Sequence, residues 1–281
     1  ELFRHYYGQR DEATHTGRAA VRGVLGTVVQ MMADGATHIG VATDKVVESF
    51  RNDLWPGYKT SAGMPPDLLE VFPLLDEGLE ALGVTFWAMT DLEADDALAS
   101  AAAVANDDAR VEQVAIWTPD KDLGQCVRAA RVVQVDRRSG KVIDADGVRE
   151  KFGVDPQQIP DYLALVGDSA DGFPGIPGFG AKTAAAVLRR YGCIEDIPAA
   201  PGQWDVAGLR GAATLAATLA TRHDDALLFK RLATLTIDRS LLPAVDDMRW
   251  TGPTDAFAAF AESIDGAGLL ARARNVAASA P

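Results

Sequence analysis

Cysteine is nearly absent from this 281-residue sequence: Cys126 and Cys193 are far apart and lack metal-ligand spacing. This excludes a disulfide framework and a thiolate metal site, and suggests reduced thiols in a cytosolic protein. Long apolar runs are missing too. The longest are about ten residues, too short to span a bilayer, so no membrane partner is expected. No secretory signal pattern is visible. There is no initiator Met, and Glu1 opens what reads as mid-helix, so the N-terminus is expected to be cut. Aromatics make up only 7% against 26 glycines and many alanines, which points to helix-rich α/β packing. Positive charge is scarce: 27 Lys and Arg face 40 Asp and Glu, a net charge of −13. Taken alone, that argues against a nucleic-acid partner, because phosphate binding requires positive charge. An acidic surface by itself serves solubility.

What is present alternates between strand and helix. Residues 15–34 carry helical apolar spacing, and "THIGVAT" (37–43) is a short apolar run expected as a buried strand. From 49 to 66, "SFRNDLWPGYKTSAGMPP" breaks the pattern with turn formers and predicts a loop or mobile helical segment. Helical period resumes over 67–82. "VTFWAM" (84–89) predicts a strand, 93–105 a helix and "QVAIWT" (113–118) a strand. "RVVQVDRRSGKVID" (131–144) predicts a hairpin turned at Ser139-Gly140. This order implies an α/β fold with a parallel sheet covered by helices. After about residue 145 nearly everything is helical, which places a soft boundary there. The length suits one large core or two smaller ones. There is no internal repeat, and no low-complexity tract beyond alanine enrichment.

Acids fall where strands should end. Asp44 follows the first strand; Glu93, Asp95 and Asp96 follow the second and open a helix; Asp120 and Asp122 follow the third. Asp168 and Asp171 lie three apart in "GDSADGFPGIPGFGAKTA" (167–184). Sites in open parallel sheets form outside the carboxyl ends of strands, so these acids are expected to converge. Each cluster also has a plain structural reading. "TDLE" fits a capping box with Thr90 as N-cap, Asp95 and Asp96 suit a helix dipole, and Asp120 and Asp122 fit a turn. Converging carboxylates repel and raise one another's pKa, a cost that a cation relieves. Without His or Cys partners they suit hard ions, Mg²⁺ or Mn²⁺. Eight acids exceed the needs of one such ion and fit two, about 3.5–4 Å apart, as in phosphodiester hydrolysis. Leaving the eight site acids out of the count takes the net charge from −13 to −5, which answers part of the charge objection.

"GIPGFGAKT" is not a P-loop, because Ala181 separates Gly180 from Lys182 and Pro177 removes a backbone donor. The pattern predicts two short helices joined by a tight glycine turn, running into a basic helix with Lys182, Arg189 and Arg190. Backbone N–H groups at that helix start would face a phosphate, a form of recognition that does not read sequence. Gly175, Gly178, Gly180, Lys182 and Thr183 are the candidate DNA contacts. The alternative is a hairpin packed for stability.

Taken together, "EADD" (93–96), "PDKD" (119–122), the 167–184 stretch and "SFRNDLWPGYK" (49–59) resemble the flap endonuclease or 5′ nuclease family, which includes the 5′→3′ exonuclease domain of bacterial DNA polymerase I. The resemblance runs across nearly the whole chain. It implies a PIN-like α/β nuclease core over 1–145 with a helical arch at about 49–66. A helical DNA-binding region over 146–281 would carry a helix–three-turn–helix element at about 159–192. It further implies that Asp44, Glu93, Asp95, Asp96, Asp120, Asp122, Asp168 and Asp171 bind two Mg²⁺ or Mn²⁺ ions. K⁺ would sit at the helix–three-turn–helix with the downstream duplex, and Lys59 at the scissile phosphate. Arg51 would assist Lys59, while Trp55 and Tyr58 would either stack on unpaired bases or pack the arch.

The implied activity is structure-specific 5′ nuclease cleavage of 5′ flaps and nicked or gapped DNA in replication and repair, by a monomer in the bacterial cytoplasm at the nucleoid. Alternatives are a PIN-like RNase and a DNA-structure binder without activity. Three departures from the family pattern stand out. A first strand ending in an Asp ligand would lie upstream of Glu1, so either those residues are not represented or the site is incomplete. The arch lacks the usual Arg after Tyr58-Lys59, and Pro119 replaces a glycine. The length suggests a stand-alone nuclease.

Overall fold

The computed structural model describes residues 2–7, 17–136 and 139–279. Glu1, the first two residues of the expected 15–34 helix, and Arg137 and Arg138 of the expected hairpin lie outside the described residues. The chain forms two compact units that interleave along the sequence. One comprises Glu1–Val47, Ser61–Ala97 and Ser240–Pro281; the other comprises Glu48–Thr60 and Leu98–Arg239.

In the first unit, β1 (Gly40–Asp44) pairs in parallel with β2 (Thr85–Met89), in a register that sets Asp44 beside Met89. The helix Gly17–Ala33 forms because Val21, Val24, Leu25, Val28 and Met32 recur three and four residues apart and all become buried. It shares a core with Leu75, Leu79 and Leu82 of helix Val71–Leu82 and with Phe257 and Phe260 of helix Phe257–Ser263. Side-chain donors stitch the C-terminal segment to β2 and its approach. Thr85 Oγ1 donates to Asp247 O (2.6 Å), Trp87 Nε1 to Leu241 O (2.8 Å) and Trp250 Nε1 to Leu82 O (2.8 Å).

The second unit holds β3 (Val114–Trp117), β4 (Val132–Asp136) and β5 (Lys141–Ile143). β3 pairs with β4 in parallel and β4 with β5 antiparallel. The hairpin turn at Ser139-Gly140 is closed by Asp136, which accepts the Ser139 N–H on its carboxylate (3.1 Å) and the Gly140 N–H on its backbone carbonyl (2.8 Å). The parallel pairing expected from the strand and helix order is thus present, but in two sheets rather than one. Beyond residue 145 the elements are helices, among them Ile159–Val166, Ala181–Tyr191 and His223–Ala233, which enclose Leu163, Leu165, Phe173, Val187, Leu188 and Phe229. Among the described residues no helix is long and apolar enough to cross a membrane.

This second core contains a buried acid. Asp161 accepts hydrogen bonds from the Ile194 N–H and from Lys230 Nζ, both at 2.9 Å, and Lys230 also binds Glu195 (2.6 Å). Burial pushes the Asp161 carboxyl above its ordinary range, against the pull of those two donors. Burial works to lower the Lys230 pKa, but its bonds to Glu195 and Asp161 outweigh it and the pKa rises. Removing the ammonium leaves a desolvated carboxylate without its cation, so Lys230→Met should cost about 3 kcal/mol near neutral pH. A carboxyl whose folded pKa exceeds its unfolded value stabilises the fold while protonated, and loses that contribution as pH rises through the folded value. The deficit of Lys230→Met in urea unfolding is therefore expected to shrink as pH is lowered from 7.5 to 4.5.

Candidate metal centre

The second unit brings three acids together. Asp122 opens a short 3₁₀ turn after β3, and Asp168 and Asp171 follow helix Ile159–Val166. All three are buried, and one carboxylate oxygen from each lies within 4.8 Å of the others. Exposed Asp120 stands beside them and accepts the Asp122 N–H (3.1 Å). The 168–173 turn is closed on itself. Asp168 N–H donates to Phe173 O (2.8 Å), Phe173 N–H to Asp168 O (3.0 Å) and Ala170 N–H to Asp168 Oδ1 (3.0 Å).

Two ammonium groups are drawn to this cluster. Lys59 Nζ lies 3.1 Å from Asp171 Oδ1, and Lys121 Nζ contacts Asp168 Oδ2. Burial works to lower the Lys121 pKa, but the bond to Asp168 and the charges of Asp168, Asp122 and Asp120 raise it instead. A donor set of buried carboxylates that already attracts two cations fits a hard divalent ion.

The remaining expected metal acids lie in the first unit, around the start of helix Ala94–Asp107. Asp44 Oδ1 accepts the Ala94 N–H (2.7 Å) and Asp96 Oδ2 accepts the Glu93 N–H (2.9 Å). Glu93 and Asp96 are buried, while Asp44 and Asp95 are half-buried. The capping box read from "TDLE" is therefore displaced by three residues. Asp96 caps the helix, and Thr90 Oγ1 donates to Asp91 instead (3.2 Å). Asp44 and Asp96 thus have a folding role at helix N–H groups, whatever else they bind.

The irregular 49–66 segment contains helix Phe50–Leu54, capped by a reciprocal Ser49–Asn52 box, and its residues up to Thr60 belong to the second unit. Lys59 is held by its main chain as well as its side chain. Its N–H donates to Asp171 O (3.0 Å), and its carbonyl accepts from Asn52 Nδ2 (3.0 Å). Trp55 Nε1 donates to Gly172 O (3.0 Å). Arg51, expected to assist Lys59, is only 1% exposed; its guanidinium donates to Leu232 O (2.8 Å) and Thr234 O (3.2 Å). It is a staple on the end of helix His223–Ala233, where carbonyls without helical partners attract a cation. Tyr58, open in the sequence between base stacking and packing, is 3% exposed within the core, which favours packing. Sequence reading gave no role to Lys121. Nor did it assign Gln134, whose buried amide on β4 ties down the Thr118 and Asp120 carbonyls. The signal for Lys121 was its place between two acids in "PDKD".

The expected pair of helices is present as Ile159–Val166 and Ala181–Tyr191. Its glycines divide by purpose. Gly175 has φ +71°, and a Cβ there would meet Gly167 N at 2.4 Å, so the fold itself demands it. Gly178 also has positive φ, but Gly180 has ordinary φ and open space where a Cβ would stand. Gly180 is the N-cap of Ala181–Tyr191 and supplies no side-chain cap, which leaves the N–H groups of that first turn open to a ligand beside exposed Lys182 and half-buried Thr183.

A buried carboxylate cluster on an α/β framework, continuing into paired helices with a glycine turn, defines a resolvase-like domain joined to a SAM-type helical fold. The family models agree: residues 1–153 match the 5′-3′ exonuclease N-terminal resolvase-like domain, and residues 154–256 match the 5′-3′ exonuclease C-terminal SAM fold. The chain belongs to the 5′-3′ exonuclease family. It is 33% identical over 260 residues to DNA polymerase I of Pseudomonas aeruginosa, covering 88% of this chain and 27% of that protein. It is 38% identical over 161 residues to the 5′-3′ exonuclease of Aquifex aeolicus, covering 57% and 55%. The chain therefore spans about a quarter of the polymerases it matches. Among solved structures it is similar to the phage T5 5′-exonuclease with divalent zinc ions (TM-score 0.64, 17% identity, 94% of each chain). It is equally similar to the catalytic core of Rad2 with DNA substrate (TM-score 0.64, 14% identity, 98% of this chain and 88% of that one).

One contact fixes Lys59 against the acid turn. Gly172 has φ +85°, and a Cβ on it would meet the Gly57 carbonyl oxygen at 1.9 Å. Gly172→Ala is expected to lower stability by about 3 kcal/mol or more in urea unfolding, since both the backbone conformation and the close approach forbid a side chain.

Proposed function

We propose that this chain is a divalent-metal-dependent, structure-specific 5′ nuclease that hydrolyses phosphodiesters in 5′ flaps and in nicked or gapped DNA during replication and repair. The observation that carries this reading is the buried Asp122–Asp168–Asp171 cluster with Lys59 ion-paired to it, in a chain of the 5′-3′ exonuclease family. Asp122, Asp168 and Asp171, with Asp120, are assigned as metal ligands in one unit, and Asp44, Glu93, Asp95 and Asp96 in the other. Two Mg²⁺ or Mn²⁺ ions held by these acids would activate the water nucleophile and stabilise the leaving 3′ oxygen. Lys59 neutralises charge on the phosphate as the transition state forms. The helix start at Gly180, Lys182 and Thr183 grips the duplex backbone without reading sequence, and K⁺ is assigned to the same turn. The nuclease chemistry is assigned chiefly to residues 1–145 and the duplex grip to 146–281. A cytoplasmic, nucleoid-associated monomer suits these roles.

A 5′-labelled flap substrate tests the reading. Cleavage should stop in EDTA, return with Mg²⁺ or Mn²⁺, and be lost in Asp168→Asn. Flap binding without cleavage would leave a DNA-structure binder, and preference for structured RNA would leave an RNase. Lys59→Ala is expected to slow single-turnover cleavage on the order of 100-fold, with much less effect on flap binding in Ca²⁺. Lys182→Ala should weaken duplex binding alike for all sequences and lower the slope of affinity against salt by about 1.

A further inference from the structure

Lys121 is an unusual neighbour for a metal ligand. Asp168 has two carboxylate oxygens, and the structure uses them differently. Oδ1 accepts the Ala170 N–H that helps close the 168–173 turn, whereas Oδ2 is held by the Lys121 ammonium. An ion that ligates Asp168 through Oδ2, the oxygen not engaged in closing that turn, competes with Lys121 for it. A cation arriving at Asp168 also meets the Lys121 ammonium at hydrogen-bond range, a like-charge contact that moving Lys121 away relieves. The Lys59 main chain is pinned to Asp171 and Asn52, while Lys121 lines an open cleft of about 380 Å³ with Thr118, Pro119, Asp120, Lys151 and Phe152. Lys121 has somewhere to go.

We propose that Lys121 is a placeholder cation: in the ion-free protein its ammonium holds Asp168 in the ligating position, and the divalent ion must displace it into the adjoining cleft in order to bind. This rests on the metal-centre reading above. Lys121 thereby sets the metal affinity of the site and spares the ion-free fold the repulsion of three buried carboxylates. Lys151 provides the comparison, since its ammonium lines the same cleft but stacks over the Phe152 ring at 4.9 Å.

The test is Mn²⁺ binding to DNA-free protein, followed by the electron paramagnetic resonance of free Mn²⁺. Lys121→Met is expected to bind Mn²⁺ about tenfold tighter than wild type, the equilibrium worth of one charged hydrogen bond. Lys151→Met is expected to stay within about twofold, and Lys121→Arg to stay near wild type, because neither frees Asp168. Unchanged affinity in Lys121→Met overturns the proposal, and so does an equal gain in Lys151→Met, which would mean only through-space charge. A second measurement needs no substitution. Reductive methylation of the wild-type protein, quantified by mass spectrometry, should modify Lys121 several-fold faster once Mn²⁺ saturates the site, with Lys151 unchanged. Equal Lys121 reactivity with and without Mn²⁺ overturns the displacement. If instead Mn²⁺ binding is absent in wild type, or unaffected by Asp168→Asn, the metal-centre reading itself fails and this proposal falls with it.

Discussion

Carboxylates crowded out of water repel one another, and much of the second unit is arranged around bearing that cost at Asp122, Asp168 and Asp171. Each acid is given something positive to face. Asp168 has a backbone N–H on one oxygen and an ammonium on the other, Asp171 has Lys59, and Asp122 lies within the field of the Lys121 charge. A fold that keeps such a group buried keeps a standing affinity for cations. The same logic explains why the acids of the first unit sit at a helix start, where N–H groups and the helix dipole favour negative charge without a metal.

The segment around Lys59 shows how a cation is aimed by backbone rather than by its own flexible stem. Asn52, Trp55 and the Gly57–Gly172 approach hold the main chain on either side, so the ammonium starts from a fixed root. The glycine turn that follows serves the fold at Gly175 and leaves only Gly180 unexplained by packing. That separates glycines required by backbone geometry from one whose open face suits a close-approaching ligand.

Much of this was legible in the residues. Strand and helix order, the hairpin at Ser139-Gly140, the helix pair around the glycine turn and the three central acids follow from periodicity, turn formers and the placing of acids after strands. The split into two sheets was not legible, because β1–β2 and β3–β4 carry the same local pattern whichever partners they choose. Arg51 was given the wrong neighbour, and Tyr58 stayed open between stacking and packing, for a related reason. Side-chain type and position in an irregular segment look alike for a staple and for a substrate contact, and only the Leu232 and Thr234 carbonyls, far along the chain, distinguish them. Lys121 was overlooked because a lysine between two aspartates has an obvious local explanation, simple charge balance, which says nothing about the more distant Asp168.

The Arg51 staple bears on how the molecule comes into being. Its acceptors lie 181 and 183 residues downstream, so the helix that carries it cannot be fastened until the chain has been made past Thr234. The first unit closes later still, since it needs residues from Ser240 onward. Contacts of such long reach are slow to form and come last. A nascent chain on the ribosome can therefore gather Lys59 and the acids of the second unit before the helix Phe50–Leu54 is fastened and before the first unit has its last residues.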